Sequence, residues 1–165
     1  MPDSRKMGRV FGCLVVLALA CSGMHAADDA VRVIRVFDAD TILVELADGR
    51  HESVRLLGVD APEVKGYRDA EPGGEEAKAR ARELLGSEPV RLETDDTADE
   101  RDIYGRLLRY VRLPDGRDLG RTLIEDGYAR AYRRFTYVRK KEYLARESQA
   151  RQEHRGLWTE GRQGP

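Results

Sequence analysis

The chain has 165 residues, 29 Lys/Arg against 30 Asp/Glu, and two cysteines, Cys13 and Cys21. That length fits one domain with a proper core. Both cysteines precede the domain, which leaves it without a disulfide, a thiolate nucleophile or a soft metal ligand, so any catalytic metal must be held by oxygen, as Ca²⁺ or Mg²⁺ is.

Residues 1–26 read as a signal peptide. Arg5, Lys6 and Arg9 give a basic start, residues 10–20 are apolar, and Ser22, Gly23 and Ala26 follow as small residues. The apolar run is shorter than the roughly 20 residues that a membrane-spanning helix needs. Cleavage after Ala20 or after Ala26 both fit. Leu17-Ala18-Leu19-Ala20-Cys21 also resembles a lipobox, in which acylated Cys21 would anchor the protein. The expected location is therefore periplasmic or secreted, with membrane attachment only if Cys21 is lipidated. Residues 27–165 form the domain.

Within it, residues 31–37 alternate as a strand, 41–46 form a second, and Asp48-Gly49 is a hairpin turn. Residues 53–59 supply the returning strand. Residues 60–74, with Pro62, Pro72, Gly66, Gly73 and Gly74, read as an exposed loop. The spacing of Ala77, Ala81, Leu84 and Leu85 predicts a helix over 75–85. A short strand follows at 89–94, then an acidic loop at 95–102. A strand at 106–113 is expected to have its partner after the Pro114-Asp115-Gly116 turn. A short helix (119–126), a last short strand (128–132) and a polar helix (143–155) complete the pattern, with Leu157 and Trp158 folding back as anchors. Three strands, a helix, two strands and further helices describe an α+β fold, a five-stranded OB-type β-barrel with about three helices. A β-sandwich would lack the intervening helix, and a Rossmann fold would alternate strand and helix throughout.

Charge is unevenly spread. Residues 27–100 hold 10 Lys/Arg against 20 Asp/Glu, whereas residues 101–165 hold 16 against 9. An acidic half able to hold a cation and a basic half able to meet phosphates suit a metal-dependent enzyme acting on a polyanion. A solvated charged surface would give the same count. His51 and His154 are isolated and read as surface residues. Asp38 and Asp40 lie where the first strand turns into the second, Asp60 ends the third, Glu63 opens the loop and Arg55 lies within the third strand. Singly, Asp40 and Asp60 read as turn formers and Arg55 as an exposed strand residue. Grouped at a barrel mouth, the carboxylates could converge on one hard cation.

Three segments carry more. Phe37-Asp38-Ala39-Asp40-Thr41, Val54-Arg55-Leu56-Leu57-Gly58-Val59-Asp60-Ala61-Pro62-Glu63 and Asp102-Ile103-Tyr104-Gly105-Arg106 resemble the signature segments of the staphylococcal nuclease (thermonuclease) family, in its order and with similar spacing. Gly127-Tyr128-Ala129-Arg130-Ala131-Tyr132 and Arg155-Gly156-Leu157-Trp158 resemble further family segments, so the likeness runs from about Val31 to Trp158. It implies that Asp40 and Asp60 bind Ca²⁺ by carboxylate and Ala61 by its carbonyl. It implies that Glu63 is the general base, that Arg55 and Arg106 clamp the scissile phosphate, and that Tyr104 and Tyr132 line the nucleotide pocket. The implied substrates are DNA and RNA, single strands preferred, cut with little sequence preference to 3′-phosphates by a monomer without an obligate protein partner.

The chain departs from the family pattern at several places. Ala39 stands for a glycine, Ala61 for a threonine, and Ile103 where a lysine can hold phosphate. The spacing at Tyr132 is one residue short, and Arg133 and Arg134 follow where a second tyrosine is expected. The alternative is a non-catalytic barrel that binds single-stranded nucleic acid through basic grooves and aromatic platforms. Aromatics are only 7% of the chain and every acidic position of the motif is filled, which favours the enzyme. An oligosaccharide-binding barrel has only fold analogy behind it.

Overall fold

The structure is a computed structural model that describes residues 30–64 and 70–159. The leader, with Cys13 and Cys21, lies outside the described residues, as do residues 65–69 of the long loop. No described helix is long and apolar enough to cross a membrane.

Five strands close into a barrel: β1 (Ala30–Asp38), β2 (Thr41–Glu45), β3 (His51–Leu56), β5 (Val90–Glu93) and β6 (Leu107–Arg112), in the order β1-β2-β3-β6-β5. β1, β2 and β3 form an antiparallel meander, β5 pairs antiparallel with β6 and β1, and the barrel shuts where β3 meets β6 in parallel, Val54 opposite Leu107. β1 does not keep a strict alternation. Val31 and Val36 are both buried, although strict alternation would put residues at this odd offset on opposite faces. The register slips between Val33 and Arg35 and again between Val36 and Asp38. Each slip leaves one extra residue on β1, Ile34 and then Phe37, and so changes which face the following residues present. Ile34, which blurs the sequence pattern, is the apolar residue left outside.

Helix α1 (Gly74–Leu85) presents Ala77, Ala81 and Leu85 as one buried stripe. Its Arg80 forks onto the Asp126 carboxylate at 2.9 and 2.6 Å, tying it to the end of α2 (Leu119–Glu125). α3 (Lys140–Gln152) and a 3₁₀ turn (Gly156–Trp158) complete the chain. Ile42, Val44, Val54 and Val90 from the barrel pack with Leu119, Leu123 and Ile124 of α2 and Tyr143 of α3 in one core.

Three elements differ from the sequence expectation. The strand over 53–59 is not continuous: β3 stops at Leu56, and Gly58 turns the chain at φ +79°. A Cβ at Gly58 would lie 2.4 Å from the Tyr137 ring, so only glycine fits there. The chain then leaves the barrel as β4 (Val59–Asp60) and pairs with β7 (Arg130–Ala131), Asp60 opposite Arg130. After the 114–116 turn no strand forms beyond a single bridge from Arg112 to Asp118. Asp118 instead caps α2 by accepting the Arg121 N–H at 3.1 Å, and a capped helix start competes with strand pairing. The last helix begins at Lys140, a turn earlier than the apolar signal of Tyr143.

Candidate active site

The β1–β2 turn, the β3–β4 break and the start of β6 bring the predicted residues to one end of the barrel. Asp40, in the turn, is buried, and both its carboxylate oxygens are used. Oδ1 accepts the Thr41 hydroxyl at 2.9 Å, and Oδ2 accepts the Ala61 N–H at 2.8 Å. Its backbone carbonyl accepts the Leu56 N–H at 2.8 Å, which fixes the turn against the end of β3.

Arg55 lies opposite Thr41 in the β2–β3 ladder, so its side chain rises beside Asp40. One guanidinium nitrogen donates to the carbonyls of Val59 (2.7 Å) and Leu56 (3.2 Å), filling the inside of the β3–β4 break. Another stands 3.0 Å from Asp40 Oδ2 and 4.0 Å from Asp60 Oδ1. One cation thus faces two carboxylates. The half-exposed Asp60 is pushed above the usual carboxylate range by burial, with Arg55 opposing and Asp40 adding to the rise. Asp38 is also raised, by burial first, although the Val64 N–H donates to it at 3.2 Å.

Arg106 enters from the other side. Asp102 accepts the N–H groups of Tyr104 (2.9 Å) and Arg106 (3.0 Å), making a tight turn, and also takes the Arg106 guanidinium at 2.7 Å. That holds Arg106 so that its outer nitrogen reaches the Thr41 hydroxyl at 3.5 Å. Thr41 therefore links Arg106 to Asp40. The Tyr104 ring lies 5.4 Å from the Arg106 guanidinium and is largely exposed, with Ile103 beside it. Glu63 is half-buried on the stem of the long loop. Its carbonyl accepts the Glu71 N–H at 2.9 Å, closing that loop, and α1 begins directly against it. A Cβ on Gly74 would lie 2.4 Å from that carbonyl oxygen, so the glycine permits the approach.

Asp40, Arg55, Asp60, Ala61 and Arg106 thus form one connected set, with Glu63 and Tyr104 on its borders. Tyr132 joins it through the backbone, its N–H donating to the Gly58 carbonyl at 2.9 Å, while its ring packs on Phe135. Among the described residues no group of three His, Cys, Asp or Glu could hold a metal ion. The oxygen donors here are two carboxylates and backbone carbonyls. His51 and His154 are exposed, as read from the sequence. Thr41 and Asp102 are site residues that the sequence reading does not single out. For Asp102, the Asp–Arg spacing of four around a Gly-containing turn is the signal that could have found it.

A family model described as staphylococcal nuclease homologue matches residues 53–160. The match takes in Arg55 through Glu63, Tyr104, Arg106 and Tyr132 and begins after Asp40. The chain is 36% identical over 138 residues to a protein of Staphylococcus hyicus named thermonuclease, covering 82% of this chain and 79% of that one. It is 37% identical over 134 residues to endonuclease YncB of Bacillus subtilis, covering 78% of this chain but 61% of that protein, less than two thirds of its length. It is 32% identical over 142 residues to a micrococcal nuclease of Shigella flexneri, covering 81% and 76%.

Proposed function

The chain belongs to the staphylococcal nuclease family of phosphodiester hydrolases, and on that premise we propose that it is an exported, Ca²⁺-dependent endonuclease. It cuts DNA and RNA with little sequence preference, takes single strands more readily than duplex, leaves 3′-phosphates and works as a monomer. The observation that carries this reading is the joined set of Arg55, Asp40 and Asp60, linked through Thr41 to Arg106.

The donor set fits an oxygen-preferring cation, because the carboxylates of Asp40 and Asp60 both lie within reach of one Arg55 nitrogen and the Ala61 backbone is hydrogen-bonded to Asp40. Asp40 and Asp60 would hold the ion by carboxylate and Ala61 by its carbonyl. When bound, the ion supplies positive charge that neutralises a phosphate and steadies the charge developing on its oxygens. Arg55 and Arg106 add two planar guanidiniums that are fixed before the substrate arrives. Each can donate twice to phosphate oxygens and never loses its charge. Donors already oriented toward developing charge stabilise a transition state without a reorganisation cost. Glu63 takes the proton from the attacking water, a task that needs a carboxylate within hydrogen-bond reach of it. Its place on the pinned stem of the loop fixes it beside β4. Tyr104 and Tyr132 receive the nucleotide.

Export rests on the leader pattern of residues 1–26, and acylation at Cys21 would turn release into anchoring. The mass of the processed protein separates the two. Digestion of single-stranded DNA with Ca²⁺ and with EGTA, beside the Glu63→Ala variant, tests the enzyme. Cleavage should need Ca²⁺ and vanish in the variant. Binding without cleavage under any divalent metal would replace the nuclease by a nucleic-acid-binding barrel.

A further inference from the structure

Five large apolar side chains are exposed among the described residues: Ile34, Ile103, Tyr104, Phe135 and Val138. Scattered singly they would mean little. Ile103 and Tyr104, however, sit on the turn that carries Arg106, and Phe135 and Val138 sit on the segment that follows Tyr132. That segment is also one-sided in charge. Residues 130–141 hold Arg130, Arg133, Arg134, Arg139, Lys140 and Lys141 and no carboxylate.

Most of these cations have structural duties. Arg133 donates to the buried Glu147 at 2.9 Å and to the Ala131 carbonyl at 3.1 Å. Arg139 pairs with Glu93 and Asp118. Lys140 donates to the carbonyls of Arg133 (2.8 Å) and Phe135 (2.7 Å), bracing the loop from inside. Arg134 has no hydrogen bond or ion pair to any other described residue and is exposed. Of two consecutive arginines, one is tied into the fold and its neighbour faces solvent.

Phe135 is exposed yet anchored. Its ring lies 4.7 Å from Tyr132 and 5.9 Å from Tyr137, which leads through Tyr143 (5.8 Å) to Tyr110 (6.2 Å) in the interior. The Tyr137 hydroxyl donates to the carbonyls of Gly58 (3.2 Å) and Tyr132 (3.0 Å). The loop is thereby mounted on the break between β3 and β4 that aims Arg55 and Asp60. An aromatic platform held in place loses little entropy on binding a base, and an arginine next to it meets the phosphate of the same strand.

We propose that the 132–138 loop is a second nucleic-acid contact, in which Arg134 takes a phosphate and Phe135, backed by Tyr132, stacks a base of a nucleotide outside the cleaved bond. This rests on the nuclease reading and adds to it a substrate class: single strands several nucleotides long rather than the shortest fragments. The pattern of a fixed arginine beside a solvent-facing one fits a strand leaving the site. It also gives the positive half of the chain a definite use.

The test is anisotropy with a labelled oligothymidine of about 12 nucleotides, within the site sizes of barrel-type binders, in EDTA so that nothing is cut. Salt is varied from about 50 to 200 mM. Arg134→Ala should reduce the slope of log K against log salt by about 0.7, the value for one phosphate of a single strand, and Arg134→Lys should restore it. Phe135→Ala and the better-packing Phe135→Leu should both weaken binding about 5- to 100-fold with the slope unchanged. Arg117→Ala, in the turn after β6, should alter neither. Circular dichroism confirms that each variant folds. If the wild type binds and cuts while the Arg134 slope and the Phe135 affinities equal its own, this inference is overturned and the nuclease stands. If the wild type neither binds nor cuts the strand, both fall together.

Discussion

At the mouth of the barrel Arg55 faces the carboxylates of Asp40 and Asp60, and burial pushes Asp60 and Asp38 above their usual range. Between the barrel and the C-terminal helix the balance is reversed. Asp95 accepts from the Thr97 N–H and hydroxyl, the Tyr110 hydroxyl and the Val138 N–H. Burial pushes it up, but those donors outweigh burial and bring it down to about 2. Asp118 caps α2 and also takes Arg139 and the Tyr143 hydroxyl. Both clusters use the same residue types. What separates them is best seen at single residues: Asp95 takes four hydrogen bonds that outweigh its burial, whereas Asp38 takes one and burial prevails at Asp38 and Asp60.

The largest way to break this contrast is to remove function from one cluster without touching the fold. Arg55→Ala, Glu63→Ala and Arg106→Ala are each expected to lower kcat/KM by about 100- to 1000-fold while remaining folded. A folded variant with near-normal cleavage would take that residue out of the site. Next, Ca²⁺ should stabilise the protein by about 2.7 kcal/mol when present at about 100 times its Kd, by mass action alone. Urea unfolding with and without the ion measures this, and Asp60→Asn should remove most of the gain. An equal gain in the variant would mean that the ion binds elsewhere.

The Asp95 cluster is sharpened by pH. Because Asp95 is depressed in the folded state, its contribution, about 2 kcal/mol, is complete above the unfolded value of 3.8 and gone below about 2. The stability difference between wild type and Asp95→Asn should therefore shrink as pH falls through that window. A constant difference would contradict the assignment. The smallest expected effect is Tyr143→Phe, which deletes one hydrogen bond to Asp118 while Arg139 keeps hold of it. About 1 kcal/mol of stability should go, with cleavage unchanged.

What could be read from the sequence was local. The strands, α1 with its Ala77–Ala81–Leu85 stripe, and the three charged segments lie in short stretches whose spacing carries the signal. The barrel follows from their order. The missed features join distant residues. The strand expected over 128–132 contains β7, but its pairing with β4, 70 positions away, is marked by no periodicity, and only the Gly58 turn hints at it. Thr41 matters because Arg106 reaches it across 65 residues, and the buried Glu147 because it takes the Ala131 N–H from an adjacent element. Such pairings are decided by packing, which a one-dimensional pattern does not contain. Asp95 reads only as part of an acidic loop because its partners, Tyr110 and Val138, come much later in the chain.

The Gly156–Trp158 turn has a consequence for the order of events during synthesis. Leu157 donates its N–H to Gly127 and packs on Gly73, and the Trp158 ring lies against Arg130 and, at 3.8 Å, Arg151. Residues made after the whole barrel therefore clasp the start of the first helix and the strand that supports Asp60. A ribosome that has released everything up to residue 150 has delivered all five barrel strands but not this clasp. The nascent chain cannot complete this packing until residues 156–158 have emerged.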